Sequence, residues 1–380
     1  MLDALPPCAS RPAHALLLAC AALTVIAGTT LAPALPVMQT ALGPTFPIRL
    51  VVTVPALALA LSAPLAGRLA GRVGPRRVLV VGLLLYAVAG ASGLVSNGGA
   101  SILVGRGLLG VAAAAVMTAS TTIASGIFLG EARPRFFARQ ASVMSIAGVV
   151  SVALGGALAT WHWRCPFAVY LVALPMSVLA LRVEEPPASH DGRGEEPASG
   201  TRRAPVYLLT LAGMAFVFMV PIEVPFLLRD AGPSVAGLAV ATTSLSASLS
   251  ALLAARHAGS SSLTWLSRSF VLMAVGYALV GVCVAGAGAG TVTTFFGLTV
   301  AGVGSGWIMP HMSRWLVTST PERSRSAALG ALTSSVYAGQ FLAPGVSALL
   351  GAGGRSFLGA ACVLAVLGAA LALVARSRRA

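Results

Sequence analysis

The chain has 380 residues, of which 57% are hydrophobic and only 9% are charged, and its mean hydropathy is +0.89. A soluble protein of this composition would expose large apolar patches, so the composition excludes a water-soluble globular protein and indicates a chain that crosses a membrane several times. The formal net charge is +15. In a membrane protein that charge reflects where arginines must lie relative to the bilayer, so no nucleic-acid partner is expected.

Twelve apolar stretches are long enough to cross a bilayer, which takes about 20 residues of helix. Their predicted bounds are 14–37, 48–69, 78–96, 101–127, 140–160, 166–182, 205–228, 234–255, 266–288, 291–315, 326–350 and 355–375. The sequence therefore predicts an all-α integral membrane protein with twelve transmembrane helices. Several prolines inside these spans are expected to bend the helices, namely Pro33, Pro36, Pro55, Pro64, Pro310 and Pro344.

A short basic segment, residues 67–77, separates the second span from the third. Its charged residues are Arg68, Arg72, Arg76 and Arg77, and its glycines are Gly67, Gly71 and Gly74. Each of these charges would cost roughly 2.5–3.5 kcal/mol in the hydrocarbon, and arginine prefers cytoplasmic loops, so we expect a tight cytoplasmic turn. With that orientation 19 arginines fall in cytoplasmic segments and 4 in external ones, which predicts that both termini are cytoplasmic.

Residues 183–204 contain five acidic residues and three prolines, too polar a composition to fold around a core. They are predicted to form a solvated linker between an N-terminal six-helix bundle, residues 1–182, and a C-terminal one, residues 205–380. The fourth and tenth spans are both rich in glycine, which we expect to serve close helix contact. Two pseudo-symmetric bundles are typical of a transporter whose substrate site lies between the halves near the middle of the membrane.

The five cysteines, at positions 8, 20, 165, 283 and 362, are scattered and predict neither a disulfide framework nor a metal site. The spans contain no cluster of His, Asp, Glu and Cys, so an enzyme is not expected and no cofactor is implied. A phosphate-binding G-x-x-x-x-G-K-[ST] loop is also missing from the sequence, which disfavours a transporter that hydrolyses ATP itself.

The motifs resemble those of the major facilitator superfamily, and within it the twelve-helix drug:proton antiporters. Residues 67–77 are similar to the loop signature Gly-x-x-x-Asp-Arg-x-Gly-Arg-Arg, with Gly71 at the usual Asp position and Pro75 at a usual Arg position. In the family, this Asp and its basic partners stabilise one conformation. The resemblance therefore implies that the stabilising contact lacks its carboxylate in this chain. Arg106 begins a segment that resembles the helix 4 signature Arg-x-x-Gln-Gly, with Leu109 in place of Gln.

A second set of motifs supports the same resemblance in later spans. Gly148, Gly155 and Gly156 resemble the helix 5 antiporter signature Gly-x-x-x-Gly-Pro-x-x-Gly-Gly, although its Gly-Pro pair is replaced here. Residues 161–167 look like the family's Gly-Trp-Arg-Trp-Pro-Phe entrance to helix 6, and residues 339–344 look like helix 11 of bacterial efflux members. The resemblance covers essentially the whole chain and implies two bundles that expose a central site to alternate sides.

Arg106 and Glu223 are ionisable residues inside predicted spans, and such residues are functional candidates by default. Each lies about five residues, or roughly 8 Å, from the outer end of its span. One hypothesis is that the two interact across the halves when the outer side is closed, and that protonation of Glu223 weakens this closure. The alternative is that Arg106 bonds backbone carbonyls while Glu223 caps backbone groups freed by Pro221 and Pro225.

Acidic residues are scarce in the spans. The first six contain none, so a proton-coupled mechanism would have to use Glu223 or a histidine. His311 and Arg314 fall near the cytoplasmic end of the tenth span, where we expect a structural role and, as the alternative, contact with substrate.

Flexible, aromatic and amide side chains in the spans could line a cavity for bulky organic substrates, or could simply pack against helices and lipid. These candidates are Met38, Gln39, Met117, Met214, Phe216, Phe218, Met219, Trp307 and Gln340.

The sequence thus favours a secondary active transporter in the bacterial cytoplasmic membrane, acting as a monomer. It would export a hydrophobic or amphipathic small organic molecule, a drug or a metabolite, in exchange for protons. The alternative is a uniporter or symporter for another small solute without proton exchange.

Overall fold

The computed structural model of the protein describes residues 11–96, 98–183, 203–254, 261–285, 291–321, 324–351 and 353–377. Within these ranges every regular element is a helix. The chain divides into two compact units, Met1–Arg193 and Gly194–Ala380. Cys8 and most of the predicted linker, residues 184–202, lie outside the described residues.

The first unit contains seven described α-helices. These are α1 Arg11–Thr29, α2 Leu35–Leu42, α3 Leu50–Val73, α4 Pro75–Ala91, α5 Gly99–Ile127, α6 Ala132–Trp161 and α7 Ala173–Ala180. Three 3₁₀ segments connect or extend them, at Ala32–Ala34, Ser92–Leu94 and Cys165–Val172.

The second unit also contains seven described α-helices. These are α8 Ala204–Leu227, α9 Pro233–Ala254, α10 Ser262–Ala285, α11 Thr291–Gly306, α12 Ile308–Thr318, α13 Arg325–Leu350 and α14 Gly354–Ser377. A 3₁₀ turn at Arg229–Ala231 follows α8.

Ten helical segments among the described residues are long and apolar enough to cross a membrane. Together with the shorter apolar stretch Cys165–Ala180 and with α13, they correspond to the twelve predicted spans. The predicted all-α fold with twelve transmembrane helices is therefore confirmed.

Two of the predicted spans are interrupted at prolines. The first span divides into α1, the 3₁₀ turn Ala32–Ala34 and α2, because Pro33 has no N–H to continue the ladder of α1. The tenth span divides at Trp307, between α11 and α12, where Pro310 cannot donate to the carbonyl four residues earlier. Both interruptions agree with the expectation that these prolines bend the spans.

The predicted turn at residues 67–77 is far shorter in the structure. Helix α3 continues through Val73 and α4 begins at Pro75, so Gly74 alone joins them. Its φ of 94° and ψ of 136° lie in a region that glycine adopts readily, whereas Gly67 and Gly71 are helical. The helix can extend beyond the apolar stretch because exposed arginines at its end reach towards water while their stems stay against apolar surface.

Glycines allow unusually close contact between helices in both units. A methyl group at Gly110 of α5 would lie 2.3 Å from the carbonyl oxygen of Pro55 in α3, and one at Gly306 of α11 would lie 2.1 Å from the carbonyl of Ala247 in α9. No side chain fits at such distances. These helices therefore pack backbone against backbone, as expected for the glycine-rich fourth and tenth spans.

The same tyrosine contact occurs once in each unit. The hydroxyl of Tyr86 in α4 donates to the carbonyl of Leu23 in α1 at 2.6 Å, and the hydroxyl of Tyr277 in α10 donates to the carbonyl of Phe216 in α8. In each unit this bond joins the third span to the first. The recurrence supports the predicted pseudo-symmetry of the two bundles.

Candidate functional site

Arg106 lies in the interior of the first unit and is only 1% exposed. Its Nε atom donates to the carbonyl of Val51 at 2.7 Å, one Nη atom donates to the hydroxyl of Tyr170 at 2.9 Å, and the other donates to the carbonyl of Ala27. The guanidinium on α5 thus binds α1, α3 and the 3₁₀ segment before α7. Two of the three acceptors are backbone carbonyls, as the alternative interpretation of Arg106 expected.

These carbonyls are available because of irregularities in the helices that carry them. Val51 lies four residues before Pro55, which has no N–H to donate to it. Ala27 lies in the last turn of α1, where carbonyls have no partner within the helix. Arg106 therefore satisfies two backbone groups that would otherwise be left unpaired in the interior.

Aromatic rings complete the surroundings of this buried cation. The guanidinium carbon of Arg106 lies 5.3 Å from the centre of the Tyr170 ring, within the range of a cation–π contact. Tyr170 in turn packs edge to face on Tyr86, with ring centres 5.8 Å apart. In the described part of the first unit the one carboxylate is Glu131, exposed between α5 and α6. Dipoles and a ring face thus surround the charge.

Glu223 is the buried acid of the second unit. It is 3% exposed and lies in α8 between Pro221 and Pro225, each of which removes one N–H from the helix ladder. Among the described residues of this unit the other carboxylate is Asp230, which is exposed in the turn after α8. The interaction of Glu223 with Arg106 stays a prediction.

An aromatic cluster in the second unit contains one of the predicted cavity residues. Trp307 lies at the break between α11 and α12, and its ring meets that of Trp265 edge to face with centres 5.0 Å apart. The buried His311 ring stacks on the Trp265 ring, with the two ring centres 5.9 Å apart. The guanidinium carbon of Arg268 lies 4.7 Å from the centre of the Trp265 ring. His311 thus packs on α10, consistent with the structural role expected for it.

The other predicted cavity residues differ from one another in burial and in hydrogen bonding. In the first unit Met38 is fully buried, Met117 is half-buried, and the amide of Gln39 donates to the carbonyls of Gly43 and Phe46. Gln39 thus holds the connection between α2 and α3.

In the second unit Met214 and Gln340 are buried, on α8 and α13. These helices approach closely, since a methyl group at Gly339 would lie 2.4 Å from the carbonyl of Leu211. On α8, Phe216 and Met219 are also buried, and Phe218 is half-buried.

The glycines of the predicted helix 5 signature lie on α6 and are all buried. A methyl group at Gly155 would lie 1.9 Å from the carbonyl oxygen of Thr30, and one at Gly148 would lie 3.3 Å from Val25. Gly148 and Gly155 thus bring α6 directly against the first span.

An apolar groove of about 300 Å³ opens between α1, α6 and the 3₁₀ segment before α7. It is lined by Ile26, Val143, Ile146, Ala147, Val150, Ser151, Leu154 and Val169. The hydroxyl of Ser151 is held by that of Thr29 at 2.9 Å. Sequence reasoning missed this groove, as well as Tyr170. A tyrosine in an apolar span was the available signal, because its hydroxyl needs a partner when buried.

Comparison with known proteins places the chain in a family. Residues 17–228 match the family model of the Major Facilitator Superfamily. Multidrug resistance protein 1 of Bacillus subtilis is 28% identical over 151 residues, which cover 38% of this chain and 39% of that protein. Multidrug efflux pump LfrA of Mycolicibacterium smegmatis is 35% identical over 179 residues, covering 46% and 34%. Quinolone resistance protein NorA of Staphylococcus aureus is 25% identical over 195 residues, covering 50% and 48%.

The chain thus spans less than half the length of these relatives. Among solved structures, a bacterial homolog of the human lysosomal transporter Spinster, inward-facing and occupied, is similar over 97% of this chain and 98% of its own, with a TM-score of 0.74 and 16% identity. A D-xylose-proton symporter is similar over 95% and 96%, with a TM-score of 0.77 and 12% identity. At these identities the likeness concerns the fold. Because the family model matches more than half of its residues, the chain belongs to the Major Facilitator Superfamily.

Proposed function

We propose that the chain exports a hydrophobic or amphipathic small organic molecule across the bacterial cytoplasmic membrane, in exchange for protons and by alternating access. The names of the matched relatives, which include a multidrug efflux pump and a quinolone resistance protein, support this class of substrate. The chain works as a monomer with both termini in the cytoplasm, an orientation supported by the distribution of its arginines.

The observation that carries the proposal is the apolar groove of the first unit. Its volume of about 300 Å³ falls at the lower end of the range for small-molecule sites. Its walls are aliphatic, so an uncharged organic group binds there by leaving water, whereas a sugar or an ion would lose hydrogen bonds. A hydrophobic substrate, or the hydrophobic part of an amphipathic one, fits this surface best.

Proton exchange is assigned to Glu223. It is buried within a helix whose ladder is interrupted on both sides, and a carboxylate in that environment changes its interactions when it gains a proton. Arg106 supplies the matching positive charge in the hypothesis that the two groups interact. In addition, it holds the first, second and sixth spans together.

The test uses everted membrane vesicles that contain the full chain, an imposed proton gradient and the fluorescent dye ethidium. The expected result is dye accumulation that a protonophore abolishes. Accumulation that ignores the protonophore would reject proton exchange and favour the uniporter or symporter. No accumulation of ethidium or of an uncharged hydrophobic dye would contradict export of this substrate class.

A matched pair of substitutions tests the groove itself. Val150→Gln places an amide in the groove, whereas Val366→Gln places one on an exposed face of α14. Dye transport is expected to fall for the first variant and to stay at the level of the unchanged protein for the second. Equal transport by both variants would remove the groove from the substrate path. A reporter fused to the C-terminus and active only in the cytoplasm tests the orientation.

A further inference from the structure

The end of α3 carries an exposed stripe that changes from apolar to basic. Leu61, Leu65, Arg68 and Arg72 are all exposed, with spacings of four, three and four residues that place them on one face of the helix. Leu61 is 72% exposed and Leu65 is 65% exposed. On the opposite face Ala66 and Ala70 are buried. The stripe therefore points away from the rest of the unit.

Helix α4 carries a second stripe with the same spacing, in which the basic residue comes first and the apolar residues follow. Arg77, Val81, Leu84 and Val88 are exposed, again four, three and four residues apart. Because α3 and α4 are consecutive membrane spans, their chains run in opposite directions. Gly74 alone joins them, so the basic ends of both stripes lie at the same end. Each stripe thus has acyl-compatible side chains at one end and guanidinium groups, three in total, at the end next to Gly74.

The arginines lie within about 8 Å of the joint between α3 and α4, which the cytoplasmic orientation proposed above puts in the headgroup layer. At 1.5 Å per residue, Arg68 is about 8 Å and Arg72 about 2 Å before the last residue of α3, and Arg77 is about 3 Å after the first residue of α4. The headgroup layer adds about 5–8 Å to each side of the hydrocarbon core. The aliphatic residues of the stripes therefore meet acyl chains where the guanidinium groups meet phosphates.

The charges of the two stripes favour an anionic headgroup. Neither stripe contains a carboxylate that could hold the ammonium group of a zwitterionic lipid. Arg76 does not belong to the stripes, since it is half-buried and its Nη1 lies 3.5 Å from the carbonyl of Val183. Gly71, between Arg68 and Arg72, has nothing within 4 Å of the place where a Cβ would stand, which leaves open space on this part of the helix.

From this arrangement we propose that Arg68, Arg72 and Arg77 form a binding site for the phosphate of an anionic phospholipid, whose acyl chains lie along the stripes of α3 and α4. Arginine suits this ligand because its planar fork binds phosphate oxygens in pairs. Under the orientation proposed above, the lipid belongs to the cytoplasmic leaflet. The site does not depend on which substrate the protein transports.

The experiment is native mass spectrometry of the full chain released from nanodiscs that contain equal amounts of phosphatidylglycerol and phosphatidylethanolamine. The unchanged protein is expected to retain phosphatidylglycerol in preference. In the triple variant Arg68→Gln, Arg72→Gln and Arg77→Gln, we expect retained phosphatidylglycerol to fall by more than about fivefold, the factor that one arginine near an anionic surface contributes. The corresponding triple lysine variant keeps the charge and is expected to retain most of the lipid.

Matched single variants separate this site from the general charge of the protein. Arg72 and Arg355 are both exposed and both lie next to the last or first residue of a long helix. Arg72→Gln is expected to lower lipid retention, whereas Arg355→Gln is expected to leave it unchanged. Equal retention by the unchanged protein and the triple glutamine variant, equal loss in the two single variants, or equal retention of both lipids would overturn the proposal.

Discussion

Arg106 and Val51 are joined by a hydrogen bond of 2.7 Å from the guanidinium Nε to the backbone carbonyl, at the point where Pro55 leaves that carbonyl without a partner in α3. A charged side chain thus replaces a missing backbone donor. This relationship turns a proline and an arginine that are 51 residues apart (106 − 55) into one structural unit. The replacement can be tested by restoring the backbone donor.

Arg106→Gln is expected to lower the free energy of unfolding by about 1–3 kcal/mol, because it removes a charged donor from buried carbonyls. In the background of Pro55→Ala the loss should be smaller, since the alanine N–H can bond the Val51 carbonyl. Thermal unfolding of the four proteins in detergent gives the coupling between the two positions. Strictly additive losses would contradict the assignment.

Glu223→Gln is expected to reduce proton-driven dye accumulation to the level of vesicles that lack the chain, because the amide cannot exchange a proton. The matched control is Asp230→Asn, which removes the exposed carboxylate that follows α8 and should leave accumulation unchanged. The measurement is the fluorescence assay in everted vesicles. Accumulation that survives Glu223→Gln would remove this residue from the coupling mechanism.

The hypothesis that Arg106 and Glu223 interact is tested by thermal unfolding, because transport by Glu223→Gln is already expected to be at the background level. If the two groups interact, the double variant Arg106→Gln with Glu223→Gln should lose less stability than the sum of the two single losses, since each substitution alone already breaks the pair. Additive losses would indicate independent roles.

Gly155→Ala is expected to destabilise the protein by about 1–3 kcal/mol, because the added methyl group meets the Thr30 carbonyl and α6 must move away from the first span. Gly71→Ala is the matched control, since Gly71 is also helical but has open space around it. The control should be neutral or stabilising by about 0.5–1 kcal/mol. Melting temperatures in detergent decide between these outcomes, and equal shifts would argue against the close contact.

Tyr86→Phe and Tyr277→Phe are each expected to cost about 1 kcal/mol, because each leaves one carbonyl of the first or seventh span unpaired. Tyr207→Phe should cost less, since its hydroxyl lies 3.4 Å from the carbonyl of Ala328 and is only partly buried. Equal losses in the first two variants, measured by thermal unfolding, would show that the repeated contact contributes equally to the stability of both units. A larger loss for Tyr207→Phe would contradict this account.

The spans could be predicted from the sequence because hydrophobicity over about 20 residues is a local property. Their ends could not. Helix α6 begins at Ala132, eight residues before the predicted span at 140–160, because its first turns carry arginines that lower the hydropathy but remain compatible with an exposed helix end. For the same reason the basic segment after the second span proved to be mostly helix.

The candidate site shows a similar division. Arg106 could be identified from the sequence, since an arginine in an apolar span is conspicuous and resembles a family signature. Its partners could not, because Tyr170 lies 64 residues away and the Val51 carbonyl becomes an acceptor only through the packing of α5 on α3. The sequence predicted that glycines allow close contact between helices and that prolines such as Pro33 bend a span. It did not predict which residues lie against a glycine such as Gly155.

The joint between α3 and α4 has a mechanical consequence. A single glycine offers no spare length, so neither helix can slide along the membrane normal, or rotate far, without pulling the other. Whatever conformational change the first unit undergoes, the joined ends of these two helices move together. Any displacement of the end of α3 by a solute or by its neighbours is therefore passed to the first turn of α4.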